Sequence, residues 1–375
     1  MKRSMASVLI ILCFLAYCRP SRSKVEKATE NGVEVIINHK EPYVLEDVPA
    51  VAELKKKILI DFESQLITDL GIADIRGFDV DSKGNIYISV FKGDYCIYKF
   101  DKSGAFADSF IRKGQGPKEA IIIKSLNINT KDDIYAYNVS QLKLMVLDTQ
   151  GGLINEHTLP LRFSRISPLL NGIYLISKNA PERPSLFYFF LNLGIYDADF
   201  KEKKIIDDLK VINGRDATYW SNEKEKIYVG SEEIGYEIRV YDLEGNLNLI
   251  VKKKYDPVPV PENIRKQRKI LFEESMQTLG TSEDIPKLIN WPPFEAFFVD
   301  YTGRIYVRTF ENGEVEGSRI HDVFTPEGVF ISRISLELSF DREYKYALLR
   351  NKKIYGFKEK GNGFEQFISY RITWK

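Results

Sequence analysis

Apolar residues in this chain come in short runs set off by polar turns. Residues 77–104, GFDVDSKGNIYISVFKGDYCIYKFDKSG, show the unit. It is a short apolar run, an Asp/Gly turn, an Ile-Tyr strand, a loop, a second Tyr-bearing strand and a further Asp-x-x-Gly turn. The Ile-Tyr pair recurs at Ile86-Tyr87, Ile134-Tyr135, Ile173-Tyr174, Ile227-Tyr228, Ile305-Tyr306 and Ile354-Tyr355, at intervals of 48, 39, 54, 78 and 49 residues. One strand signal repeated at such spacing predicts a repeat architecture of antiparallel strands.

In the first unit the pattern predicts strands over 75–80, 86–90, 95–100 and 106–111, joined by Asp81-Ser82-Lys83-Gly84-Asn85 and Asp101-Lys102-Ser103-Gly104. In such turns Asp bonds its own backbone and Gly accepts positive φ. Weaker echoes stand at Asp148, Asp242, Asp300 and Thr325, each three residues before a Gly. Four-stranded units of this length are propeller blades, so the expected fold is all-β, a six-bladed β-propeller. The last unit runs out after one strand, 364–374, and lacks its outermost member. Residues 58–62 are placed to supply it and close the ring, with 32–38 as the competing candidate; closure would hide the sheet edges.

The long interval before Ile305 comes from residues 252–293. After Pro257, Pro259 and Pro261, Ile264, Leu271, Phe272, Met276 and Leu279 fall near one helical face, and Gly280 provides a stop. One helical insertion is therefore expected between blades 4 and 5, either bracing the ring or serving as a lid or docking element.

The Asp-x-x-Gly-Asn-Ile-Tyr run ending at Tyr87, the strand Ile97 to Asp101, and Gly114-Gln115-Gly116-Pro117-Lys118-Glu119 together resemble the NHL-repeat-like and TolB-like six-bladed propellers of exported bacterial proteins. The last loop is similar to a Gly-x-Gly-Pro-Gly-Glu connection of that family, with Lys118 at its second-last position. The resemblance covers roughly residues 55–375. It implies the fold and leaves activity open, because propellers host unrelated functions. Some relatives are metal-dependent hydrolases or lyases with a central ion. Asp79 and Glu295 are the acids near predicted inner strands that could serve here, with Ca²⁺ as the ion.

The start of the chain changes the picture of where it works. Lys2 and Arg3 precede an apolar run over 5–17, which reads as a secretory signal too short for an ordinary spanning helix. Leu15-Ala16-Tyr17-Cys18 resembles a bacterial lipoprotein box, which implies lipidation of Cys18. Plain secretion and an uncleaved anchor are the alternatives. The domain plan is then a signal over 1–17, a tether and N-terminal strand over 18–54, and the propeller over 55–375. The expected location is the bacterial cell envelope, lipid-anchored, or else secreted or periplasmic. Cys13 falls in the signal and Cys96 is left alone, so no internal disulfide is expected, and Cys96 reads as a small buried residue. Net charge is +1, which offers no nucleic-acid footprint.

With the four strands of a blade lettered a to d from the inside out, strand alternation puts the a–b and c–d turns, all short, at one end of the ring. The b–c loops and the connections between blades share the other end, with residues 112–120, 178–191, 309–318 and 252–293. Function tends to occupy variable loops on a rigid scaffold. Candidate ligand- or partner-binding residues at that end are Tyr95, Arg112, Lys113, Gln115, Lys118, Arg183, Trp291 and Arg308. Gly114-Gln115-Gly116 could cradle an anion beside Arg112, Lys113 and Lys118, or be a structural turn. Trp220 and Trp374 are expected to pack between blades.

The sequence holds no HExxH, paired-Cys or Gly-x-Ser-x-Gly pattern, and Asp79 to Gly84 lacks the distal Glu of a calcium loop. His39, His157 and His321 are read as surface or outer-strand residues. The leading expectation is a non-enzymatic module, without cofactor, that binds a protein, peptide or glycan at the loop-rich end. The metal-dependent hydrolase or lyase is the alternative, and a purely structural surface protein stays open.

Overall fold

The structure, a computed structural model, describes residues 25–116, 118–180, 188–212, 218–223, 226–231, 234–280, 289–339 and 347–375. The predicted signal, Cys18 and Arg183 lie outside the described residues. Strands β1 (Glu26–Glu30), β2 (Val33–Asn38) and β3 (Ala52–Asp61) and a short helix α1 (Gln65–Asp69) precede the first blade. Blade 1 is β4 (Ala73–Val80), β5 (Ile86–Lys92), β6 (Tyr95–Phe100) and β7 (Phe106–Lys113), with a two-residue β8 (Glu119–Ala120) beside β7. Blade 2 is β9 (Ile123–Ile128), β10 (Ile134–Asn138), β11 (Lys143–Leu147) and β12 (Leu153–Thr158). Blade 3 is β13 (Arg165–Pro168), β14 (Tyr174–Asn179), β15 (Tyr188–Tyr196) and β16 (Glu202–Ile212).

Blade 4 is β17 (Thr218–Glu223), β18 (Lys226–Ser231), β19 (Glu237–Asp242) and β20 (Leu247–Lys253); helix α2 (Glu262–Leu279) follows. Blade 5 is β21 (Ala296–Val299), β22 (Ile305–Asn312), β23 (Arg319–Phe324) and β24 (Phe330–Leu336). Blade 6 is β25 (Ala347–Arg350), β26 (Lys353–Glu359) and β27 (Glu365–Trp374), completed by β3. The chain is a six-bladed β-propeller with a helical insertion between blades 4 and 5.

The recurring Ile-Tyr pair opens the second strand of each blade, and alternation sends its two side chains to opposite sheet faces. Ile86, Ile134, Ile227, Ile305 and Ile354 are fully buried, as are Tyr87, Tyr228 and Tyr306. The tyrosine hydroxyl then turns back to the Asp of the preceding turn: Tyr87 Oη donates to Asp81 Oδ2 at 3.2 Å and Tyr306 Oη to Asp300 Oδ2 at 3.0 Å. The other carboxylate oxygen of each Asp accepts turn amides, from Lys83 and Asn85 in one and from Thr302 and Arg304 in the other. One Asp per turn thus satisfies backbone donors and a buried phenol together.

Closure of the ring follows the strand at 58–62, extended to ten residues. β3 pairs antiparallel with β27 from Ala52↔Trp374 to Asp61↔Gln366. The competing segment instead forms β2, which runs parallel to β20 and carries β1 on its outer side, so blade 4 becomes a six-stranded sheet. The side chain of Asn38, at the end of β2, is fully buried and ties this hairpin to blade 5. Its amide donates to the Gly328 carbonyl at 2.8 Å and accepts from Phe330 N at 2.8 Å.

Helix α2 begins and ends where the sequence predicts, with Gly280 left-handed at φ 63° as its stop. Its half-buried stripe is Ile264, Arg268, Phe272 and Met276, whereas Leu271, expected on that face, is 55% exposed. At 100° per residue Leu271 lies a full step off a stripe that advances by four, so it turns outward. Among the described residues no helix is long and apolar enough to cross a membrane.

Blade 1 meets the closing strand through Gly104, at φ 95° in the c–d turn. A Cβ there would lie 1.9 Å from the Leu59 carbonyl oxygen of β3. At Gly84, φ 88°, a Cβ would meet only Lys102 Cβ at 3.4 Å. Gly84→Ala should therefore cost about 1–2 kcal/mol, for the left-handed backbone alone. Gly104→Ala must also push β3 off blade 1 and should cost about 4 kcal/mol or more, in the range of severe core lesions. Urea unfolding of both variants checks this; equal costs would show that the Leu59 contact does not constrain closure.

Candidate functional site

The two ends of the ring differ as the turn chemistry requires. At the a–b and c–d end, Asp81, Asp101, Asp148, Asp197, Asp242 and Asp300 each accept turn amides through a side-chain oxygen. Neighbouring blades are laced together there: Ser82 N and Oγ donate to Asp132 at 2.8 and 2.6 Å, and Arg350 donates to the Val80 carbonyl at 2.7 Å. These polar groups already have partners within the protein.

At the other end, the structure brings Tyr95, Arg112, Lys113, Gln115 and Lys118 together on blade 1. Tyr95 and Arg112 are cross-strand partners. Lys113 Nζ donates to the carbonyls of Ile121 at 2.7 Å and Val90 at 3.3 Å, and lies 5.6 Å from the centre of the Phe91 ring. The Gly114–Gly116 loop, which could cradle an anion or be a structural turn, has an amide taken from within, because Glu119 Oε2 accepts from Gly116 N at 2.9 Å. A Cβ on Gly114 would lie 1.9 Å from that carboxylate oxygen, which explains the glycine. Lys118 adopts φ 57° where the resembled loop has Gly, so the turn is kept with a side chain in place. Of the group, Arg112, Gln115 and Lys118 remain exposed.

Arg308 departs from its expected role. It is 5% exposed on β22, its Nε donating to Glu295 Oε2 at 2.5 Å and its Nη1 to the Leu338 carbonyl at 2.5 Å. Its position inside a strand rather than in the adjoining loop turns the guanidinium into the sheet layer, where it braces blade 5. Glu295 is consumed by the same pair. Asp79, on blade 1, is also buried and accepts from Ile128 N of blade 2 at 3.1 Å. The two acids named for a central ion therefore serve separate blades. Among the described residues no group of three or more His, Cys, Asp and Glu side chains could hold a metal.

Trp291 stacks on Phe310 with ring centroids 4.7 Å apart, and its backbone N donates to the Val258 carbonyl at 2.7 Å. Beside this pair lies a narrow, open cleft between blades 4 and 5 that encloses about 20 Å³, room for about one water molecule. Tyr255, Asp256, Val258, Pro292, Pro293 and Phe310 form its walls, so the insertion supplies most of it.

The floor of the pocket is a buried charge network. Asp322, fully buried, accepts from Tyr236 Oη at 2.7 Å and Arg333 Nε at 3.0 Å, and Lys253 Nζ is 3.2 Å away. Arg333 continues to Glu311 at 2.6 Å. Lys253 lies over the Phe330 and Tyr236 rings at 4.7 and 5.2 Å. Burial, and then the Asp322 carboxylate, push the Tyr236 phenol well above its ordinary pKa, so it stays a donor. Lys253, Asp322 and Glu311 escape sequence reading because charged residues in strands read as solvent-facing; the proline-rich insertion was the signal for the walls.

The three histidines separate. His157 is on an outer strand, beside Asn155 at 3.0 Å, and His39 follows β2 next to Tyr43. His321 does not fit the surface reading. It is fully buried on β23, opposite Arg308, with Nδ1–H donating to the Arg319 carbonyl at 3.0 Å.

Comparison with known proteins agrees with this architecture. Residues 74–245 match the model of a family described as a 6-bladed beta-propeller. No curated protein matches the chain. A Bacteroides fragilis protein described as exported is 14% identical, covering 91% of this chain and 99% of its own at a TM-score of 0.54. A gluconolactonase from Xanthomonas campestris is 11% identical, over 87% of this chain and 97% of that one, at 0.46. A virginiamycin B lyase from Staphylococcus aureus is 11% identical, over 86% and 100%, at 0.44. At these identities the likeness is one of fold.

Burial, and then the Arg308 charge, lower the His321 pKa from 6.5 to about 3. Its neutral form is held in the native state, while the unfolded chain takes up a proton as pH falls below 6.5. Stability is thus complete above that pH and is lost progressively down to about pH 3, with a slope of up to about 1.4 kcal/mol per pH unit for one proton. Urea unfolding between about pH 6.5 and pH 5, above most carboxylate titrations, should show this slope. His321→Gln should flatten it by close to one proton; an unchanged slope would remove His321 as its source.

Proposed function

We propose that this propeller is a non-enzymatic binding module of the bacterial cell envelope, lipid-anchored through Cys18 or secreted. It holds a protein, peptide or glycan at the end of the ring that carries the insertion. The observation that carries this reading is the contrast between the two ends. At one, polar side chains are spent on turn amides and blade-to-blade bonds. At the other, the insertion walls a pocket with Tyr255, Val258, Pro292 and Phe310. Its charges are compensated in place, Asp256 by Lys40 and Glu311 by Arg333, so it offers a mixed surface of polar groups at fixed positions beside Tyr255, Val258, Pro292 and Phe310. A basic segment followed by an apolar run at the start of the chain, and a fold relative described as exported, support the envelope location.

A photo-cross-linking residue placed at Tyr255 or at Lys118, in cells that make the full chain, should give discrete adducts. The same residue at Lys102, in the c–d turn of blade 1, should give few. Adducts from Lys102 equal to those from Tyr255 and Lys118, or none above background at either, would overturn the assignment of the binding end.

A further inference from the structure

The N-terminal hairpin fixes where the chain enters the ring. β1 pairs Glu26 with Ile37, and β2 pairs Ile37 with Lys252 and Asn38 with Lys253. Lys254 Nζ lies 3.8 Å from the Glu26 carboxylate. The first described residue therefore emerges beside the last residues of β20, the point from which the insertion departs toward α2. Seven residue steps separate Val25 from Cys18, a reach of about 25 Å at full extension.

Helix α2 is largely exposed. Opposite and beside its half-buried stripe it presents Ile270, 54% exposed, and Leu271, 55% exposed. The preceding turn and a half carries Arg265, Lys266 and Lys269 in the open. Glu262 and Glu273 meet two of these cations at 3.0 and 3.6 Å, as exposed i,i+4 pairs that yield readily to another anion. An interfacial helix buries an apolar face and keeps Lys and Arg on its polar face; here Ile270 and Leu271 are exposed with Lys266 beside Ile270, and the exposed Glu274 stands between the two apolar residues. The apolar residues enter the acyl boundary and the cations meet phosphates.

We infer that α2 is a membrane-contacting helix, and that the anchored protein presents the pocket-bearing end of blades 4 and 5 to an anionic phospholipid surface. This rests on the anchored reading of Cys18, which places that surface within reach of the same end of the ring. The partner is the bilayer that carries the anchor. A bound ligand would then be held between propeller and membrane rather than displayed away from it.

The test uses full-length protein purified from membranes, with the N-terminal peptide weighed by mass spectrometry to read lipid on Cys18. Leu271→Cys is labelled with an environment-sensitive dye, Cys96 being buried, and Lys102→Cys serves as the control. Both are reconstituted into phosphatidylglycerol–phosphatidylcholine vesicles and into pure phosphatidylcholine vesicles. The expected result is a blue-shifted, several-fold brighter emission at position 271, quenched by nitroxide-labelled lipid, stronger with phosphatidylglycerol and absent at position 102. Lipid on Cys18 with position 271 as open to aqueous iodide as position 102 would overturn the inference and leave the anchor standing. If Cys18 carries no lipid, the anchored reading falls. The same labelled variant, with Cys18→Ser, then decides α2 by itself: a dye shift on adding anionic vesicles supports it, and no shift overturns it.

Discussion

The pairing of β3 with β27 is the contact on which the ring depends. It joins the beginning of the propeller to its end strand to strand, and without it blade 6 would present an open edge to other chains. Its stability comes less from the ladder than from what the ladder carries inward. Leu59, Ile60 and Phe62 join Phe78 of blade 1 and Phe367 of blade 6 in one buried cluster, with Phe78 edge-on to Phe367 at 5.0 Å. Buried aromatics of this kind each contribute about 1.5–3 kcal/mol. The Lys56–Glu337 and Lys360–Asp61 pairs lie at the rim and add little beyond register.

A second constraint repeats around the ring. The turn Asp must satisfy amides of its own turn and, in blades 1 and 5, a buried phenol six residues on. This is why the Ile-Tyr pair was legible in the sequence as a periodic signal. The isoleucine meets the sheet-packing requirement, and in blades 1 and 5 the tyrosine finds its partner in the turn. The strands of blade 1, the helix bounds and the closing strand followed from such local rules. The route of Val33–Asn38 did not, because its fate depends on Asn38 bonding Gly328 and Phe330, nearly three hundred residues away. No local pattern reports a contact of that separation.

The candidate site was legible only where it is made of loop. The insertion announced itself by its length and prolines, and the Gly114–Gly116 turn by its glycines. Arg308 and His321 were misread for one shared reason. Each is a polar residue in or beside a strand, and sequence alone does not say which sheet face is covered by the next blade. In a propeller both faces are covered, so a polar strand residue is as readily a buried brace as a surface ligand. Their hydrogen-bond partners, not their exposure, identify what they do.

The same logic bears on Asp322. A buried carboxylate that binds Tyr236, Lys253 and Arg333 is costly to desolvate, and a well-packed apolar substitute would often serve stability equally well. What the network does supply is a fixed relation between blades 4 and 5, since Tyr236 and Lys253 belong to one and Asp322 and Arg333 to the other. Asn38 repeats that function from the hairpin side, bonding both the Lys252 carbonyl and blade 5. Two independent polar clamps thus hold the one blade junction where the chain leaves the sheet for some forty residues and returns. An interruption of that length would otherwise loosen the ring at the point where the pocket opens. The clamps hold the floor beneath the insertion in a fixed geometry, as a rigid scaffold holds the loops it carries.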